Sequence, residues 1–117
     1  VGTLYSGSGI KVVLDWTRYG ASYQLYLLCY NGSSVLANDY ATLSLGTTYY
    51  IEVIHVSGST VFTVNIYSDI GYSVLVDTLV INNAALNTTW RYHYCMSSIG
   101  AISSDPISAY VENVRVV

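Results

Sequence analysis

Charge is what this sequence has least of. Only 9% of its 117 residues are charged, against about 25% in an ordinary soluble domain. Four of them are cations, Lys11, Arg18, Arg91 and Arg115, spread along the chain with no basic cluster. With a net charge of -3, nucleic acid is not an expected partner. Charge ordinarily keeps a surface soluble and blunts exposed strand edges. Here neutral polarity from Thr, Ser, Asn and Tyr, or burial of surface in an assembly, has to do both. Either route suits an extracellular, cell-surface or virion setting.

Long apolar runs are also missing. No stretch reaches the ~18 uninterrupted apolar residues of a membrane span, so membrane insertion is not expected. No signal-peptide pattern is visible. The chain starts at Val1-Gly2-Thr3 in strand-like material and reads as a mature product or a piece of something longer. Cysteine is limited to Cys29 and Cys95, neither in a C-x-x-C pair, so no zinc site is expected. Both lie in strand-like runs, and two readings stand side by side. They are buried small hydrophobes, or they form a disulfide between strands worth about 4 kcal/mol in the chain-entropy model.

What is present is strand material, in repeated runs. Ile10 to Trp16 alternates Ile10, Val12, Leu14 and Trp16 against Lys11, Val13 and Asp15. Further runs cover Tyr23 to Tyr30, Tyr49 to Val56, Thr60 to Ser68, Val74 to Ile81, Trp90 to Met96 and Ala109 to Val117. They are rich in Val, Ile, Thr and Tyr, which suit a pleated, half-buried surface. A short strand is expected over Ser34 to Leu36 and another around Tyr40 to Leu45. Turn chemistry separates the runs: Asn31-Gly32, Ser57-Gly58-Ser59 and Asp69-Ile70-Gly71, with the sole proline, Pro106, in a Ser-rich loop. No helical pattern of useful length appears. The expectation is one domain over residues 1–117, an all-β, two-sheet antiparallel sandwich.

Several strands are apolar on both faces. In the second run Leu25, Leu27 and Cys29 share one face, and Tyr26, Leu28 and Tyr30 the other. One face can pack a core; the second calls for a cover from solvent or from another molecule. Thirteen tyrosines fit a contact surface for protein or sugar, since the phenol hydroxyl tolerates water.

Three stretches carry a family likeness. They are Gly46-Thr47-Thr48-Tyr49-Tyr50-Ile51-Glu52-Val53, then Ser59 through Asp69 with its Tyr67-Ser68-Asp69 ending, then Ala109-Tyr110-Val111-Glu112-Asn113-Val114-Arg115-Val116. Over roughly residues 46–117 the pattern resembles the concanavalin A-like lectin/glucanase superfold in its LamG-like form. The resemblance implies a jelly roll of two curved sheets, in a group whose members mostly bind or scaffold. The superfold usually takes more residues on the N-terminal side. The shortness here implies a pared-down domain or a missing strand whose edge a neighbouring subunit fills by β-strand addition.

Catalytic chemistry is hard to place. Glycosidases need two carboxylates flanking the scissile bond, and the superfold's enzymes cluster theirs on one strand. Glu52 and Glu112 are each alone on their strands and read as solvent-facing charges. No G-x-S-x-G elbow is present. No catalytic residue, cofactor or metal is therefore expected. His55 and His93 read as cross-strand packing residues, His93 lying co-facial with Cys95. Asp69, Asn82, Asn83 and Asp105 are the oxygens a calcium ion would use, but they are scattered. For sugar stacking the candidates are Trp90, Tyr92, Tyr94 and Trp16, weighed against the period-2 spacing that turns Trp90, Tyr92 and Tyr94 into the core. Asn31-Gly32-Ser33 and Asn87-Thr88-Thr89 match the N-glycosylation pattern and carry little weight.

The function expected from these features is a non-catalytic structural module that self-assembles into a filament, fibre or shell. The alternative is a carbohydrate-binding or adhesion module. The first accounts for the charge deficit and the doubly apolar strands. The second rests on the lectin-like resemblance and the aromatic residues.

Overall fold

The structure, a computed structural model, describes residues 9–87. Six strands follow in order: β1 (Ile10–Tyr19), β2 (Ser22–Asn31), β3 (Ser34–Ser44), β4 (Tyr50–His55), β5 (Val61–Tyr67) and β6 (Leu75–Asn82), then a short 3-10 turn at Ala84–Leu86. They form two three-stranded antiparallel sheets, β1-β2-β3 and β4-β5-β6. Among the described residues there is no α-helix. The expected strands at Trp90 to Met96 and Ala109 to Val117 lie outside the described residues.

Each sheet is a pair of hairpins. The β1–β2 and β2–β3 connections are two-residue loops, closed by the pairs Tyr19↔Ser22 and Asn31↔Ser34. Each places a glycine first in the loop, Gly20 at φ 57 and Gly32 at φ 60. A positive φ at that position matches the loop to the strands' right-handed twist, and glycine adopts it without steric cost. The sequence pointed to Asn31-Gly32 as the turning dipeptide. The loop is instead Gly32-Ser33, with Asn31 ending β2. A second correction concerns β3, expected as two short strands and found as one. Ala37, Asn38 and Asp39 stay paired with Cys29, Leu28 and Leu27, and an irregularity at Cys29/Tyr30 absorbs the register change.

The two sheets share one core. β2 contributes Leu25, Leu27 and Cys29, β3 Ala41 and Leu43, β5 Val64 and Ile66, and β6 Leu79 and Ile81. Leu86 of the 3-10 turn closes it. The i, i+2 spacing within every strand follows from the pleat, which sends alternate side chains to one face. Each fully buried Leu or Ile contributes about 1.5–3 kcal/mol relative to exposure. No polar residue is buried in this core, and no buried side-chain nitrogen or oxygen lacks a partner among the described residues. The face of β2 carrying Leu25, Leu27 and Cys29 is therefore the inner one. Tyr26, Leu28 and Tyr30 face outward and are half-buried.

β3 and β6, each the last strand of its sheet, lie side by side without a ladder between them. Side chains bridge the seam. The Asp39 carboxylate accepts from its neighbour Tyr40 N–H at 2.9 Å through Oδ1, and from Val80 N–H on β6 at 2.9 Å through Oδ2. Asn83 Nδ2 donates to the Leu36 carbonyl at 3.5 Å.

Candidate functional site

The 9% of charged residues is easier to understand once their positions are known. Three of the seven acids cap backbone N–H groups along one line of chain. Asp39 takes Val80 N–H, Asp77 takes Thr78 N–H at 2.8 Å, and Asp69 takes Val74 N–H at 2.6 Å. An edge strand offers unpaired N–H groups that invite another strand. These carboxylates occupy three such groups on or beside β6. Among the described residues, three of the five acids are placed where such donors need them.

Asp69 does more than cap. Its carboxylate also accepts from Gly71 N–H, Ser73 N–H and the Ser73 hydroxyl, at 2.7–3.2 Å. The backbone bond from Val74 and the side-chain bond from Ser73 hold its pKa below the usual aspartate value. The loop so organised places Tyr72 at φ 53, a left-handed conformation that is uncommon outside glycine and costly for a bulky residue.

Tyr72 is 47% exposed, and its ring meets two others edge-on. The centroid of Tyr67 is 5.3 Å away at 79°, and that of Tyr50 is 6.2 Å away at 71°. Tyr50 and Tyr67 are cross-strand partners on β4 and β5. Two residues along the same outer faces lie Glu52 and Asn65, also paired across the strands. Glu52 Oε2 accepts from the Tyr67 hydroxyl at 3.1 Å and from Asn65 Nδ2 at 3.1 Å, and Asn65 Oδ1 accepts from Thr78 Oγ1 at 3.0 Å. Partial desolvation, then the bond to Glu52, push the Tyr67 phenol pKa up. A polar row, Glu52–Asn65–Thr78, thus runs across three strands beside a corner of three tyrosine rings.

None of these residues except Glu52 and Asp69 was singled out from sequence for a site. The signal was the spacing Tyr50-x-Glu52 and Asn65-x-Tyr67, which puts each pair on one strand face. The contribution of Tyr72 was not legible, because it depends on the hydrogen bonds of the loop. Glu52 itself is solvent-facing, as expected, yet held by two donors.

The second feature is apolar. At the end of the β5–β6 hairpin Ile70 is 77% exposed, and Val74, Leu75 and Val76 are 53, 54 and 46% exposed. The pairing with β5 is irregular here, Tyr67 facing Leu75 and Ile66 facing Asp77 with Val76 between them, and β6 begins with both Leu75 and Val76 open. From Ile70 to Val76 there is no charged residue.

The other sequence candidates are placed as follows. Trp16 is half-buried, packs against the core and lies 5.5 Å from Tyr23. Trp90, Tyr92 and Tyr94 lie outside the described residues, as do His93, Cys95, Asp105 and Glu112. Cys29 is buried in the core and bonded to no described cysteine, and burial pushes its pKa up; the disulfide with Cys95 falls outside the described residues. His55 stacks on its cross-strand partner Phe62 with ring centroids 5.3 Å apart. Its Nε2 lies 3.1 Å from the Ser59 carbonyl, which can only accept, so Nε2 carries the proton. Asn83 Oδ1 accepts from Ala85 N–H at the start of the 3-10 turn. Asp69 and Asn83 are therefore engaged in local structure. Among the described residues no three His, Cys, Asp or Glu side chains come together, and no helix is long and apolar enough to cross a membrane.

No family model, curated protein or solved structure matches this chain.

Proposed function

We propose that the chain is a non-catalytic structural module of jelly-roll type that packs against copies of itself in a filament, fibre or shell outside the cell or in a virion. The uncharged, exposed end of the β5–β6 hairpin carries this reading. An apolar strip of this kind costs solubility in a free monomer and gains when a second surface covers it. A second copy is the occupant it suits. The strip brings no like charges together, and the acids beside it, Asp69 and Asp77, already accept hydrogen bonds from their own chain. Carboxylates at Tyr40, Thr78 and Val80 work against strand addition at the β3 and β6 edges. Contact through the hairpin end does not depend on those two edges.

Light scattering over a concentration series tests the reading. The protein is expected to form oligomers that Leu75→Lys with Val76→Lys reduces to monomers while the fold stays intact by circular dichroism. A protein that stays monomeric at every concentration reached defeats it.

The stacked pair Tyr26–Tyr40, with centroids 5.2 Å apart and Gln24 accepting the Tyr26 hydroxyl at 2.6 Å, favours a second reading, a carbohydrate-binding or adhesion module. Tyr40 is the more exposed ring and offers an open face to a sugar. A glycan array decides it: binding that disappears in Tyr40→Ala supports the reading, and an array without hits removes it.

A further inference from the structure

The acids of the described chain differ in what they do for the fold. Asp39, Asp69 and Asp77 each satisfy backbone N–H groups. Asp15 lies 3.4 Å from the Thr17 hydroxyl of its own strand. Glu52 caps no backbone group. It stands exposed on the outer face of β4, and its partners are two neutral side chains, the Tyr67 phenol and the Asn65 amide. Water would serve both donors at that exposed position about as well. Like Asp15, Glu52 caps no backbone group, and unlike Asp15 it is oriented by two donors.

Its surroundings suggest what it is for. Two donors fix the orientation of the carboxylate. Three tyrosine rings stand beside it, with Tyr72 nearly perpendicular to both Tyr50 and Tyr67. Tyr72 is held there at a positive φ by a loop that four donors to Asp69 keep in shape. Backbone strain kept by surrounding structure is characteristic of recognition sites. Tyrosine rings clustered beside a carboxylate attract an organic cation twice, through the ring quadrupoles and through the charge.

We propose that Tyr50, Glu52, Tyr67 and Tyr72 form a binding site for an organic cation of the guanidinium or alkylammonium type. Asn65 acts as a positioning residue, holding Glu52 in line through Nδ2 and tied back to Thr78 through Oδ1. The cation is a free small molecule or the side chain of an arginine or lysine on a partner, and the chemistry is the same for both. The site borders the association strip, since Tyr72 lies between Ile70 and Val74 and Tyr67 pairs with Leu75; cation binding reads the one and oligomeric state the other, so their failures are distinguishable.

The test is a titration of the whole chain followed by amide and side-chain NMR. The probes are butylguanidinium, butylammonium and choline as free cations, a tri-arginine peptide as the side-chain source, and maltotriose as a neutral control. Saturable shifts confined to Tyr50, Glu52, Asn65, Tyr67 and Tyr72 are expected with the cations. Tighter binding of the peptide than of butylguanidinium identifies a protein side chain as the source, and the reverse identifies a free ligand. Glu52→Gln keeps the shape and is expected to weaken binding about fivefold, the scale of an exposed charge interaction. Tyr72→Leu is expected to weaken it about two- to fivefold through the lost ring face. Both variants are checked for an unchanged fold by their remaining amide shifts. Should Tyr72→Leu unfold the loop, Glu52→Gln alone decides. The proposal is overturned by an absence of saturable shifts at these residues, by cation binding that Glu52→Gln leaves unchanged, or by shifts at the same residues with maltotriose and not with the cations.

Discussion

The two halves of β6 differ in how far they are covered. In its second half Leu79 and Ile81 are buried to 1 and 2% exposure, and the N–H of Val80 between them is taken by Asp39 from across the seam. In its first half Leu75 and Val76, with Val74 just before them, are about half exposed whichever face they point to. Both halves open on the same pair, Leu75-Val76 in the first and Leu79-Val80 in the second. Composition therefore does not separate the structural half from the half available to a partner. What separates them is cover: Leu79 and Ile81 lie in the core shared with β2 and β3, while Leu75 and Val76 lie outside it.

Substitutions in the two halves test this directly. Leu79→Ala is expected to cost about 2–5 kcal/mol, because a fully enclosed side chain leaves a cavity that its neighbours only partly fill. Leu75→Ala is expected to stay within about 0.5 kcal/mol, as for surface positions. Urea unfolding measures both, and a Leu75→Ala cost near that of Leu79→Ala would show that the first half is covered too. The next effect down is at the seam. Asp39→Ala removes the acceptor for Val80 N–H and Tyr40 N–H together, and about 1–2 kcal/mol is expected because water replaces only part of the loss. Asp39→Asn retains one acceptor oxygen and is expected to cost less. Equal costs for the two variants would mean that Asp39 acts through its charge and not through these bonds.

Strand positions were legible because hydrophobic alternation and the turn residues agree along the chain. The inner face of β2 followed from the period of Leu25, Leu27 and Cys29 alone. Local sequence places the turn one residue early because Asn31-Gly32 is a good turn pair in its own right, and the pairing of Asn31 with Ser34 settles which residues turn. β3 was divided in two because Ala37, Asn38 and Asp39 are poor strand formers locally. Pairing with β2, and the bonds of Asp39 to two strands, override that preference. The candidate site was less legible for the same reason. Alternation places Tyr50 with Glu52 and Asn65 with Tyr67, but only the pairing of β4 with β5 brings the two pairs together. Tyr72 arrives through a backbone conformation that its own side chain disfavours.

The hairpin end has its own pH dependence, smaller than the effects at the seam. The pKa of Asp69 is lower in the folded chain than in the unfolded one, through the Val74 backbone bond first and the Ser73 hydroxyl next. Such a group stabilises the folded state fully above its unfolded pKa, about 3.9, and the contribution is lost as the pH falls through the lower folded value. Loosening of residues 69–74 is thus expected only below the ordinary aspartate range, with the core strands unaffected at that point. An NMR titration reads it as a late Asp69 carboxyl shift accompanied by movement of the Gly71, Ser73 and Val74 amides. An Asp69 midpoint at or above the ordinary aspartate value would break the account of the loop.

Asp77 gives the smallest effect and the sharpest contrast with Asp39. Both are aspartates beside an N–H of β6, but Asp77 reaches only the amide of the next residue, Thr78, on an exposed edge. Asp39 ties two strands together. When Asp77 is replaced by Ala, water can reach Thr78 N–H, so the stability change should stay within about 0.5 kcal/mol. The loss should appear elsewhere: with the carboxylate gone, the edge donor is open to another strand. Asp77→Ala is therefore expected to leave the urea midpoint nearly unchanged and to raise the rate of aggregation on prolonged incubation. If the variant aggregates no faster than the parent, Asp77 does not guard the edge. If its midpoint falls as far as that of Asp39→Ala, the distinction between a capped edge and a bridged seam disappears.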